Sequence, residues 1–174
     1  MHCWKTVKID QLYGDWQLLG FSLITVLISF TLLFLPLSFL LDIQNIRDDN
    51  FLIFLTLLLA LYPLHKVVHL ITLYLLKAKV VLLRKKLYRW RILVTEPMKK
   101  EKYMVALLMP FFLLNSVLLI FLFIFPNYFH YISFLLASHI GVCVPDFIYL
   151  KSMIKSPVNC LIEESDDGYE ILRN

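Results

Sequence analysis

Two histidines four residues apart, His65 and His69, interrupt an otherwise apolar run of the sequence. On an α-helix a step of four residues is about 400° of rotation, so both imidazoles leave the same face, one turn apart. One helix supplies two ligands to a Zn²⁺ ion at this spacing. In the His-Glu-x-x-His version of the pattern, the residue after the first histidine is the glutamate base of a metallopeptidase. Here that position is Lys66, an ammonium donor where a proton acceptor is needed. The pair therefore points to metal, and the lysine points away from peptide hydrolysis.

The run that carries the pair, 51–76, is long enough to cross a bilayer. Three others match it, at 18–41, 103–125 and 129–150. The chain has 174 residues, 60% of them hydrophobic and 17% charged, a composition that excludes an ordinary water-soluble domain. These features predict an all-α membrane protein of four transmembrane helices occupying 1–155. The first span is expected to be retained: its apolar stretch exceeds the ~7–15 residues of a signal peptide, and no small-x-small cleavage site follows it.

Between 77 and 102 lie ten lysines and arginines, whereas the 42–50 connection has Arg47 against Asp42, Asp48 and Asp49, and the turn at 126–128 has none. By the positive-inside rule the basic loop and both termini are cytoplasmic, in a multi-pass protein of the cell membrane. A basic cluster beside anionic lipid accounts for most of the formal net charge of +4 without nucleic acid as a partner. Cys3 and Cys160 fall on the cytoplasmic side and Cys143 within a span, so no disulfide framework is implied.

Within the basic loop, alternation around Tyr88, Trp90 and Ile92, preceded by Val80–Leu83, predicts two short strands turning near Arg84–Lys86. The tail, 156–174, turns acidic with Glu163, Glu164, Asp166, Asp167 and Glu170. Asp167-Gly168 is a turn signal between two apolar stretches, which predicts a small hairpin, with charge attraction to the basic loop.

An ionisable side chain inside a span is costly and usually marks function or a satisfied partner. In the fourth span His139, Cys143 and Asp146 sit at i, i+4 and i+7 on one face, the latter two within about 40° of His139. Counted from the cytoplasmic boundaries, His65 and His139 lie ~18 Å deep, His69 ~12 Å and Asp146 ~7.5 Å. The second and fourth spans thus present polar stripes at matching depth. Two imidazoles and a carboxylate make a three-ligand zinc site with one position left over; His65, His69 and Asp146 are the candidate set. His139 either orients one of these ligands or replaces one. Pro63 removes a backbone donor just before the pair and is expected to kink the helix. Asn115 reads as a bond between helices, and His130 and Tyr131 as interfacial residues. The plainer reading of the histidines, packing by hydrogen bonds across helices, stands beside the metal reading.

These pieces in this order resemble the small bacterial membrane proteins described as putative zincin peptidases, distant relatives of site-2 intramembrane proteases. The matching segments are Pro63-Leu64-His65-Lys66-Val67-Val68-His69, the strand-forming stretch 79–95, Lys99-Lys100-Glu101-Lys102-Tyr103 leading to Ala106-Leu107-Leu108-Met109-Pro110, Ser138-His139-Ile140-Gly141, Pro145-Asp146-Phe147 and the Asp167–Leu172 tail. The resemblance implies zinc on His65, His69 and Asp146. It does not carry over the glutamate, since position 66 is lysine and no span contains a glutamate to replace it. Three functions follow for test: a metal-binding or regulatory membrane protein without peptidase activity, which we favour, with a membrane-protein partner or substrate; an active intramembrane zinc peptidase with a cryptic base; and a helical membrane protein without metal.

Overall fold

The computed structural model describes residues 2–7, 13–40, 46–86, 89–157, 160–165 and 168–173. Its elements are β1 (His2–Val7), α1 (Asp15–Leu40), α2 (Phe51–Leu75), β2 (Val80–Lys86), β3 (Arg89–Val94), β4 (Met98–Lys99), α3 (Lys100–Ile124), a 3₁₀ turn (Pro126–Tyr128), α4 (Phe129–Val142), α5 (Val144–Ile154), β5 (Cys160–Ser165) and β6 (Gly168–Arg173). α1, α2 and α3 are each long and apolar enough to cross a membrane, and α4 with α5 make a fourth candidate in two pieces. α1 buries none of its 26 residues, and Leu27, Leu32 and Phe39 are among its exposed side chains. An apolar surface of that length would drive aggregation in water and needs no cover in lipid.

The fold is mostly helical but not all-α. Residues 2–7, ahead of the first apolar run, form β1, which pairs antiparallel with β6, His2 opposite Arg173 and Val7 opposite Tyr169. With β5 and β4 they build a four-stranded sheet of order β1-β6-β5-β4. Alternation sets its buried face: Cys160 and Ile162 of β5, and Tyr169 and Ile171 of β6, are all buried. Burial pushes the Tyr169 phenol up to about 12, and its hydroxyl donates to the Tyr149 carbonyl at 3.3 Å.

The basic loop is a hairpin as expected, with Val80 opposite Val94 and Leu83 opposite Arg91. Arg84–Lys86, expected near the turn, belong to β2, and residues 87–88 and 166–167 lie outside the described residues. Glu164 accepts from the Val94 backbone N–H at 2.7 Å and from the Tyr103 hydroxyl.

The chain forms two compact units: Met1–Gln17 with Val67–Met109 and Asp146–Asn174, and Leu18–Lys66 with Pro110–Pro145. The core of the second gathers Leu122, Phe129, Ile132 and Leu136, with Leu33, Phe34 and Leu37 packed on it. A Cβ on Gly141 would sit 2.4 Å from Val26 Cγ2 and 3.0 Å from the Ser22 carbonyl oxygen, so only glycine lets α4 approach α1 this closely.

The fourth span is not one helix. α4 ends at Val142, Cys143 caps it with its N–H on the carbonyls of His139 and Gly141, and α5 starts at Val144. Pro145 suits the break: it has no N–H for the Gly141 carbonyl, and it stands in the first turn of α5, where that N–H would have no partner within the helix. The continuous helix assumed for His139, Cys143 and Asp146 is therefore not what forms, since Asp146 belongs to a separate helix. α2, in contrast, runs unbroken through Pro63.

Candidate metal centre

The histidines sit on a regular buried stripe of α2: Leu61, His65, Val68, His69, Thr72 and Leu73 are buried at steps of three and four. This is the 3.6-residue period of a helix face turned inward, with two imidazoles where leucines would ordinarily stand. α2 belongs to the Leu18–Lys66 segment up to Lys66 and to the Val67–Met109 segment beyond it, so each histidine is described with its own unit.

In the first unit, His69 Nδ1 lies 2.9 Å from the backbone carbonyl oxygen of Ala106. A carbonyl only accepts, so Nδ1 carries the hydrogen and Nε2 presents its lone pair. That nitrogen is 3.3 Å from Asp146 Oδ2. Lone pair facing carboxylate is repulsive unless a cation, either a proton on the ring or a metal ion, stands between them. Tetrahedral zinc with bonds of ~2.0–2.1 Å spaces its ligand atoms about 3.3 Å apart. The donor set and its tautomer therefore fit a divalent ion. A backbone carbonyl holding the far ring nitrogen is the usual support of a metal-binding histidine.

In the second unit, His65 Nδ1 lies 3.2 Å from His139 Nε2, and His139 Nδ1 lies 3.0 Å from Asn115 Oδ1. Cys143 Sγ is 3.9 Å from His65 Nδ1 and 3.7 Å from His139 Nε2. His65, His139 and Cys143 are essentially inaccessible. The structure thus brings His65 to His139, and His69 to Asp146, despite the break in the fourth span. Lys66 points along its own helix: its ammonium lies 5.8 Å from the centre of the Tyr62 ring, one turn back, a cation–π contact. His130 and Tyr131 are at the other end of the unit, with His130 Nε2 3.1 Å from Asp48 Oδ1 and the Tyr131 hydroxyl donating to the Asp48 carbonyl.

Asn115 is the bond between helices that was expected, its Oδ1 facing His139 Nδ1. Sequence reasoning missed one thing here. Ala106 supports His69 through its main chain, and a backbone carbonyl leaves no trace in side-chain identity.

Compared with known families, residues 58–161, more than half of the chain, match the family described as "Putative zincin peptidase". No curated protein and no solved structure matches.

Proposed function

Because the chain belongs to the putative zincin peptidase family, we propose that it is a multi-pass membrane protein carrying a divalent ion, Zn²⁺, on His65, His69 and Asp146, and that it does not hydrolyse peptides. The observation that carries the metal is the His69 tautomer, which turns the Nε2 lone pair toward Asp146 Oδ2 at 3.3 Å. His65 joins as the ligand one helical turn away. Bound zinc supplies a Lewis acid. Of the chain's own groups, the two imidazoles and the carboxylate hold the ion. The residue between the histidines offers a cation rather than a base, occupied with Tyr62. Such a protein would act by binding a membrane-protein partner, with the metal site shaping the surface it binds. Metal analysis of the purified full-length chain tests this reading. One zinc per chain is expected in the wild type and none in His65→Ala or His69→Ala; equal zinc in all three ends it.

The proposed orientation places both termini and the basic loop in the cytoplasm and the 42–50 and 126–128 connections outside. It is supported by the ten basic residues between 77 and 102. Reporter fusions after Asn45, Lys86 and Asn127 should read outside, inside and outside. An outside reading at Lys86 rejects the orientation.

A further inference from the structure

The second unit holds a buried chain of three polar side chains, Asn115, His139 and His65, that the metal reading does not by itself require. We propose that His139, held by Asn115, is a positioning residue that fixes the tautomer of His65, so that Nε2 is the ring nitrogen offered to the metal. This rests on the metal-site reading and adds to it a role for two residues that touch no metal.

Each group in this chain fixes where its neighbour carries its hydrogen. Asn115 Oδ1 only accepts, so His139 Nδ1, 3.0 Å away, donates. A neutral imidazole with hydrogen on Nδ1 has its lone pair on Nε2. His139 Nε2 therefore accepts from His65 Nδ1 at 3.2 Å, and the hydrogen on that nitrogen leaves the lone pair of His65 on Nε2. All three groups remain neutral, which suits an interior where a net charge is costly. His65 ends in the state that the Ala106 carbonyl imposes on His69, with the hydrogen on Nδ1 and the lone pair on Nε2.

The amide is the hinge of this logic. Asn115 Nδ2 is buried and has no hydrogen-bond partner among the described residues, so the contact with His139 decides which end of the amide faces the ring. Turned over, the amide would donate to His139 Nδ1, reverse every hydrogen in the chain and cap His65 Nε2 with a proton. A metal on Nε2 requires the orientation the structure has. The rival arrangement is a metal seated on His65 Nδ1, His139 Nε2 and Cys143 Sγ, whose ligand atoms lie within 4.8 Å of one another. It would consume the hydrogen bond that links the two rings.

Zinc affinity of the full-length chain in detergent, measured against a competing chelator, separates these arrangements. Loss of such a supporting partner typically costs 10–100-fold in metal affinity, and that is the expected effect of His139→Leu. His139→Gln should recover most of it, because the glutamine amide oxygen can accept from His65 Nδ1 while being a poor zinc ligand. Cys143→Ser should bind as the wild type, and the cobalt-substituted protein should lack a near-ultraviolet thiolate charge-transfer band. Should His139→Leu fail to fold, position 115 decides. Aspartate has only acceptors, so Asn115→Asp should match or exceed the wild type, and Asn115→Leu should fall below it. The proposal is overturned if His139→Leu binds like the wild type, if Asn115→Asp is as weak as Asn115→Leu, or if His139→Gln is as weak as His139→Leu while cobalt shows the thiolate band. If His69→Ala leaves zinc binding untouched, the metal-site reading itself falls, a different result from any of these.

Discussion

Lys66→Glu is expected to turn a protein with little or no peptide hydrolysis into one that cleaves membrane-protein substrates. Zinc polarises its surroundings, but rapid amide hydrolysis also needs a group to take the proton from the attacking water and return it to the leaving amine. A well-placed general base contributes about 10²–10⁴-fold. Glutamate at position 66 would stand between the two histidines, as in the His-Glu-x-x-His pattern. The native lysine there brings a positive charge next to a proposed divalent cation, and its contact with Tyr62 draws the ammonium back along α2. The measurement is cleavage of a panel of single-span substrates by both proteins in detergent and in cells. Robust wild-type cleavage that the glutamate does not improve would refute the non-peptidase reading. Cleavage by the variant alone would identify a zincin scaffold lacking only its base.

The parts of the candidate site written in local periodicity were legible in the sequence. His65 and His69 lie on one face because four residues make one helical turn, and the buried stripe of α2 follows the same period. The match in depth between the second and fourth spans brought Asp146 into consideration, although the continuous helix assumed there is broken at Cys143. Pro145 carried the warning, since a proline between Cys143 and Asp146 removes a backbone donor from the helix. Non-local pairings were not legible. β1 finds its partner at the opposite end of the chain, His2 beside Arg173, and a six-residue stretch without clean polar–apolar alternation does not reveal a mate so distant. Asn115 gave no sign of its partner either, because an amide inside an apolar run looks the same whether it bonds a neighbouring helix at random or holds a histidine.

Zinc should decide the stability of the first unit's polar pair, and its removal should reveal a cost that the metal conceals. Without a cation, His69 Nε2 and Asp146 Oδ2 face each other at 3.3 Å as two acceptors. An ion bound to the folded state alone and supplied at about 1,000 times its Kd stabilises that state by about 4.1 kcal/mol. For a chain of this size that corresponds to about 8–16 °C in Tm, lost on chelation. Asp146→Asn separates this from a plain ion pair. The amide can turn an N–H toward His69 Nε2, replacing repulsion with a hydrogen bond worth about 1 kcal/mol. The variant should therefore be more heat-stable than the chelated wild type, yet gain nothing from added zinc. If the pair is instead an imidazolium–carboxylate bridge, removing the carboxylate's charge must lower stability below that of the chelated wild type, and zinc should shift neither protein. The two melting curves, with and without metal, thus report whether a proton or a metal ion occupies the gap between His69 and Asp146.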